Sequence, residues 1–275
     1  MVFPALTFCP LSAYNRCVGA LVFIVGLIFG SFANVCIYRL PAGRSVVSPG
    51  SRCPRCGKPI PWYDNIPLVS YLLLGARCRF CGGRISFRYF VVELLVGGIF
   101  LLLYLKFGLS PRWYVYALFA LGLVITGFID IDTFEIHEVI VLPGIALGLL
   151  FSGIVEGMYE GLSRGDGFVN GLLGAAGGAG ALLLVGFLGK LVFRKDAMGF
   201  GDVELLGMIG AFLGWRSTLL AVFFGSLAGA AVSIALILLK VRTRDEYVPF
   251  GPYLACGALI ALFLKGNQVL GFFIP

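Results

Sequence analysis

Long apolar segments follow one another along almost the entire chain, and most of them are long enough to cross a lipid bilayer. A membrane-spanning helix needs about 20 consecutive apolar residues. The chain has 59% hydrophobic and only 13% charged residues among its 275. These proportions exclude a water-soluble domain and predict an all-α polytopic membrane protein with about eight transmembrane helices. The predicted spans are Val18–Tyr38, Phe90–Leu105, Trp113–Ile131, Ile136–Val155, Gly167–Gly189, Met198–Trp215, Ser217–Leu239 and Val248–Leu264.

The lysine and arginine residues predict the orientation of these spans. Most of the 21 basic residues lie between spans one and two, five and six, and seven and eight. The positive-inside rule places these segments in the cytoplasm, so both termini face away from it. Few basic residues precede the first span, which favours a retained helix over a cleaved signal peptide. The net charge of +7 fits contact with the lipid bilayer and its anionic headgroups, and it requires no nucleic acid.

Two aspartates lie at the edges of predicted spans, and a carboxylate at the centre of a span costs about 2.5 to 3.5 kcal/mol on insertion scales. Asp130 ends the third span and Asp202 begins the sixth. Because the third span runs inward and the sixth runs outward, both carboxylates are expected on the cytoplasmic side at similar depth. Two close carboxylates cannot both ionise cheaply, so the pair would share one proton. This state is the one that aspartyl proteolysis uses, and it requires no metal.

Four cysteines between the first and second spans have the spacing of a metal site. Cys53 and Cys56 form one C-x-x-C pair, Cys78 and Cys81 form another, and 21 residues separate the pairs. This spacing predicts a tetrahedral four-cysteine zinc site in a small cytoplasmic zinc-knuckle domain. A disulfide pair or two separate redox motifs are the alternatives, although the reducing cytoplasm disfavours disulfides. Because so small a segment has little core, metal binding would supply much of its folding free energy.

Four segments of the chain carry residue patterns that are specific as a group. They are Gly-Ser-Phe-Ala-Asn-Val-Cys-Ile-Tyr-Arg-Leu-Pro (30–41), Trp-Tyr-Asp-Asn-Ile-Pro (62–67), Phe-Ile-Asp-Ile-Asp (128–132) and Met-Gly-Phe-Gly-Asp-Val-Glu-Leu-Leu (198–206). Together they resemble the type IV prepilin peptidases, which are bifunctional leader peptidases and N-methyltransferases of the GxGD aspartyl protease family. The resemblance implies that Asp130 and Asp202 are the catalytic pair. It also implies that Gly199 and Gly201 let the backbone approach closely and leave room for substrate.

The chain departs from the family pattern at two places near this pair. Residues 135–138 read Glu-Ile-His-Glu, whereas the family usually has Leu-Pro-Asp shortly after the first aspartate segment. Glu204 stands where the family commonly has lysine. Both departures leave the pair itself unchanged but add acidic groups beside it. His137, the only histidine, is expected to make a polar contact at a helix start.

The resemblance also implies a substrate, a methyl donor and a cellular location. The expected enzyme of the bacterial inner membrane cuts the leader from prepilins or pseudopilins at the cytoplasmic face and N-methylates the new terminus with S-adenosylmethionine. Its termini would be periplasmic. No glycine-rich nucleotide fingerprint supports the donor, so the donor rests on resemblance alone. The expected divisions are residues 1–38, an N-terminal segment with the first helix; 39–89, the zinc domain; and 90–275, the peptidase domain.

Two functions from other classes remain open on the sequence alone. A proton-coupled transporter could use an intramembrane carboxylate pair as a relay, but it would predict internal repeats, and the chain has none that can be recognised. A structural zinc-bearing protein of a secretion assembly would need neither aspartate.

Overall fold

The computed structural model describes residues 11–159, 161–193, 199–241 and 248–264. Both chain ends lie outside these ranges, as does Met198, the expected first residue of the sixth span. Within the described residues the regular structure is helical, apart from isolated bridges in the cysteine segment. The helices are α1 (Leu11–Arg39), α2 (Val69–Leu73), α3 (Phe87–Phe107), α4 (Pro111–Thr133), α5 (Glu138–Ile154), α6 (Arg164–Phe193), α7 (Phe200–Leu238) and α8 (Gly251–Phe263).

Five of the described helices are long and apolar enough to cross a membrane, namely α1, α3, α4, α6 and α7. Helices α5 and α8 are also apolar but shorter, with 17 and 13 residues. Local signals set several of the boundaries. The side chain of Ser86 accepts a hydrogen bond from the N–H of Arg88 at the start of α3, and Gly108 ends that helix at φ 62°. Pro111 occupies the first turn of α4, where its missing N–H costs nothing.

Helix α7 folds back on itself at Gly214, which has φ 73° and ψ 168°. A straight helix of 39 residues would be about 58 Å long, nearly twice the thickness of the hydrocarbon core. A Cβ at Gly178 would instead lie 3.1 Å from the Thr218 side chain and 3.2 Å from that of Leu206. These two residues would be about 18 Å apart along a straight helix. Residues 200–213 and 215–238 therefore form two separate helical segments, and the break coincides with the predicted boundary between spans six and seven.

The chain divides into two compact units, and the first contains Met1–Asn34 and Pro49–Leu109. In this unit α1 and α3 approach closely through glycine. A Cβ at Gly26 would lie 2.7 Å from the Gly97 Cα, and one at Gly30 would lie 2.6 Å from the Glu93 Cα. Both distances are too short for any side chain, so glycine is what allows these two helices to pack backbone against backbone.

The second unit contains Val35–Ser48 and Ser110–Pro275. In this unit α6 and α7 pack closely, and the backbones of Gly174 and Gly210 touch. Three residues before the break at Gly214, the Ala211 carbonyl accepts a hydrogen bond of 2.8 Å from the buried Tyr159 hydroxyl. The same burial raises the pKa of the Tyr159 hydroxyl. This hydrogen bond therefore holds the loop after α5 against the turn of α7.

Candidate functional site

Asp130 lies in the last turn of α4, with only 4% of its surface exposed. Its Oδ2 accepts a hydrogen bond of 3.0 Å from the backbone N–H of Gly251. Gly251 is the first residue of α8, so the Asp130 carboxyl group faces the N-terminal end of that helix. Helix N-termini favour negative charge, which offsets part of the cost of burying this carboxylate.

Asp202 lies in the first turn of α7 and is 5% exposed. It interacts electrostatically with Asp130. Asp202 thus belongs to the first turn of α7, and the Asp130 carboxyl group faces the first residue of α8. The two residues predicted from the sequence as a pair are thus both buried in the second unit and close enough to interact electrostatically.

Small residues hold the backbone close to this pair. A Cβ at Gly251 would lie 2.6 Å from Asp130 Oδ2, and one at Gly201 would lie 2.7 Å from the Ile136 Cβ. Ile136 also reaches towards Gly251, since its Cδ1 would lie 3.2 Å from the same added carbon. Gly199 differs, because its nearest neighbour would be Asp202 Oδ2 at an ordinary 3.7 Å. Of the two motif glycines, only Gly201 is sterically required.

An acidic group at the start of α5 lies near the N-terminal end of α7. Glu138 is in the first turn of α5 and interacts electrostatically with Glu204. The Glu204 Oε2 is buried and finds no hydrogen-bond partner among the described residues. His137 occupies the N-cap position of α5, and within the described chain its side chain makes no capping hydrogen bond. The departures from the family pattern therefore lie next to the aspartate pair in space as well as in sequence.

Sequence reasoning missed Gly251. Its contact with Asp130 joins residues 121 positions apart, so no local pattern connects them. The available signal was the Gly-Pro dipeptide at residues 251–252, which marks a helix start after a loop.

The four predicted metal ligands also come together, in the first unit. The Sγ atoms of Cys53, Cys56, Cys78 and Cys81 all lie within 4.8 Å of one another. Cys53 Sγ and Cys81 Sγ are 3.9 Å apart, close to the edge of about 3.8 Å expected for a tetrahedron with 2.3 Å zinc–sulfur bonds. A disulfide would require about 2.05 Å, and the described cysteines are free thiols. The donor set and its spacing therefore fit a zinc ion.

An ion pair connects the second cysteine pair to the segment before α2. Arg79 lies between Cys78 and Cys81 and donates two hydrogen bonds, of 2.7 and 2.6 Å, to the Asp64 carboxylate. This bidentate contact lowers the pKa of Asp64. Asp64 is the only acidic residue between positions 39 and 89, so the pairing leaves the remaining charge of this segment entirely positive.

Two family models match consecutive parts of the chain. The model of the bacterial peptidase A24 N-terminal domain matches residues 24–107, which include the four cysteines. The model of the type IV leader peptidase family matches residues 117–234, which include both aspartates.

Several curated relatives are similar over most of the chain. A prepilin leader peptidase/N-methyltransferase of Myxococcus xanthus is 41% identical over 82% of this chain and 67% of its own length. Proteins of the same description from Pseudomonas aeruginosa and Bacillus subtilis are 36% and 31% identical. They cover 90% and 93% of this chain, and the matches cover 90% and 97% of their own lengths. No solved structure matches significantly.

Proposed function

Because this chain belongs to the type IV leader peptidase family, we propose that Asp130 and Asp202 are the catalytic pair of its peptidase reaction. The activity is that of a bifunctional prepilin leader peptidase/N-methyltransferase, and prepilins or pseudopilins are its substrates. The observation that carries the assignment is the electrostatic interaction of two buried carboxyl groups, one in the first turn of α7 and the other hydrogen-bonded to the first residue of α8.

The chemistry follows from one shared proton. The ionised carboxylate takes a proton from a water molecule as the water oxygen attacks the carbonyl carbon of the scissile peptide. The protonated carboxyl group donates its proton to the carbonyl oxygen, which gives a neutral gem-diol. When the C–N bond breaks, one diol hydroxyl returns a proton and the leaving nitrogen is protonated, so the pair again holds one proton. Burial excludes bulk water, which strengthens each of these interactions.

The second reaction is methyl transfer to the new N-terminal amine. S-adenosylmethionine would supply the methyl group when it is bound, and the amine loses one proton as the N–C bond forms. None of the described residues is assigned to the donor. The family membership is the support for this step.

We also propose the finer architecture. Eight membrane crossings would be made by α1, α3, α4, α5, α6, α8 and the two segments of α7. Residues 1–38, 39–89 and 90–275 would form the N-terminal segment with the first helix, the zinc domain and the peptidase domain. In the bacterial inner membrane, the zinc site and both aspartates would face the cytoplasm and both termini the periplasm. Zinc at the four cysteines would be structural, because four thiolates leave no open coordination position.

Replacement of either catalytic aspartate tests the assignment. Asp130→Asn and Asp202→Asn should each abolish leader cleavage, because the amide keeps the size and polarity of the side chain but cannot transfer a proton. Mass spectrometry of a co-expressed prepilin reports leader loss directly. Asp132→Asn is the matched control, since Asp132 is exposed and two residues from Asp130 on the same helix. It should cleave normally.

Membrane insertion and expression of each variant are measured alongside. Normal cleavage by a well-folded Asp130→Asn or Asp202→Asn protein would contradict the proposed aspartyl mechanism. A loss of cleavage in Asp132→Asn of equal size would show that the assay reports general damage to this end of α4.

A further inference from the structure

The segment before α3 contains a short helix whose outer face is apolar and uncovered. In α2, Ser70 is buried and Tyr71 packs on α3, with ring centroids 5.5 Å from Phe90 and 6.4 Å from Phe87. The helical period places Val69, Leu72 and Leu73 together on the opposite side. Leu72 is 66% exposed and Leu73 is 82% exposed. We call the surface formed by Val69, Leu72 and Leu73 the α2 outer face. If it faced water, so small a segment would expose an unusually apolar surface.

The depth of α2 along α3 explains this exposure. Helix α3 has 21 residues and is about 31 Å long, which matches a hydrocarbon core of about 30 Å and leaves no spare turn. Phe87 begins α3, so it lies at the boundary of the core. Glu93 lies about 9 Å further in. The Glu93 Oε2 accepts a 2.9 Å hydrogen bond from the N–H of Leu68, so the chain reaches this depth just before α2 begins.

The backbone around Leu68 is hydrogen-bonded as membrane depth requires. Leu68 has φ 57° and ψ −47°, outside any regular structure. In hydrocarbon, irregular backbone is tolerated only where the protein satisfies its polar groups. The Leu68 N–H donates to the Glu93 carboxyl group, and the Ile66 N–H donates to the Ser70 hydroxyl at 3.1 Å. Pro67 has no N–H to satisfy. The Leu68 carbonyl accepts from the N–H of Leu72 at 3.0 Å.

The charge beside α2 fits the phosphate level of a membrane. The two arginines Arg77 and Arg84 face each other in the bridge that follows α2, and both are exposed. Trp62, at the other end of the segment, is 80% exposed. Tryptophan and arginine are the residues that lie at lipid headgroups, with apolar residues beneath them.

We propose that residues 62–74 form a re-entrant segment whose α2 outer face contacts phospholipid acyl chains, while Trp62, Arg77 and Arg84 lie at the headgroups. This position also gives the buried Glu93 a role, since its carboxylate binds the backbone that enters the membrane. The segment between the first two long helices is therefore partly embedded in the bilayer, with the metal site above it.

Tryptophan fluorescence in vesicles tests the position of the α2 outer face. The chain has three tryptophans, and Trp62→Phe, Trp113→Phe and Trp215→Phe together give a background without any. Leu73→Trp is placed in this background, and Lys58→Trp, on the exposed turn of the first cysteine pair, is its matched control. Each full-length protein is reconstituted in phosphatidylcholine and phosphatidylglycerol vesicles, with acyl chains plain or brominated near the headgroup. Retained leader cleavage shows that each variant is folded.

The brominated lipid should remove most of the emission of the Leu73→Trp protein and little of that of the Lys58→Trp protein. Aqueous acrylamide should give the opposite order. Quenching of the Leu73→Trp protein by acrylamide and not by brominated lipid would overturn the proposal. Protection from acrylamide by an added prepilin would also overturn it, because the face would then bind substrate. Equal lipid quenching at both positions would mean that the whole segment lies on the bilayer and that the α2 outer face is not a distinct surface.

Discussion

Gly251 is the residue at which one added carbon would most directly disturb the acidic pair. The Cβ of Gly251→Ala would lie 2.6 Å from Asp130 Oδ2, so the carboxyl group or the start of α8 must move. A displacement of about 1 Å at a reacting group can cost about 100-fold in rate. We expect Gly251→Ala to lower the leader cleavage rate by about this factor, measured on a purified prepilin in detergent.

Gly127 provides the matched control for this substitution. It lies on α4 and faces the start of α8, but a Cβ there would meet Pro252 and Ala255 at ordinary distances of 3.6 and 3.7 Å. Gly127→Ala should therefore cleave at close to the normal rate. Equal rates for the two variants would contradict the positioning role of Gly251.

At the residue scale, the two aspartates could be picked out from the sequence, whereas the hydrogen-bonding partner of Asp130 could not. Asp130 and Asp202 stand out because carboxylates are rare in apolar segments, and the charge of the loops predicts a common depth for them. The Gly251 N–H is a backbone group that every residue except proline carries. Its role depends on where α8 begins in space, and that is set by tertiary packing.

At the scale of elements, the contact between α6 and α7 depends on two glycines. Their backbones touch at Gly174 and Gly210, so a Cβ in Gly210→Ala would meet backbone that cannot rotate away. We expect a loss of about 3 kcal/mol in stability, as for a strongly overpacked core, seen as a lower thermal denaturation midpoint in detergent. Gly180→Ala on α6 meets nothing within 4 Å and should be neutral or stabilising by up to about 1 kcal/mol. A normal midpoint for Gly210→Ala would contradict this contact.

The cysteine cluster makes its own prediction about metal content. Purified protein should carry about one zinc ion per chain, and Cys53→Ser or Cys78→Ser should lower this content because each removes one of four thiolates. Metal analysis of protein kept reduced throughout measures it. Cys256→Ser is the control, since Cys256 lies in α8, outside the cluster. A stoichiometric Cys56–Cys81 disulfide without metal would refute the site.

The long helices could be predicted from the length of their apolar segments. The break in α7 could be predicted near residue 216, because Arg216 separates two apolar segments there. Helix α2 could not be predicted. Its five residues are too few to show a helical period. Its apolar residues also cannot be told apart from those of the neighbouring spans by composition. Only the hydrogen bond from Leu68 to Glu93 and the ring contacts of Tyr71 reveal its depth.

At the scale of the whole molecule, the two reactions should be separable. If Asp130 and Asp202 serve only peptide hydrolysis, their loss leaves methyl transfer to an amine intact. Asp202→Asn protein should therefore still methylate a pilin supplied already cleaved, with a free N-terminal phenylalanine and S-adenosylmethionine. Intact-mass measurement detects the added methyl group. No mass gain with a folded mutant, alongside a gain with the unmodified enzyme, would mean that both reactions share catalytic groups.

The placement of the four cysteines before α3 sets the order in which a growing chain can acquire its parts. Ribosomes make proteins from the N-terminus, so both cysteine pairs are complete once residue 81 has been synthesised. The acidic pair must wait for Asp202, and its hydrogen bond must wait for Gly251. If the four cysteines bind zinc as proposed, a nascent chain could take up the metal while most of its membrane helices are still unmade. A shortage of zinc would then impair the folding of the cysteine segment during synthesis, before the enzyme binds any substrate.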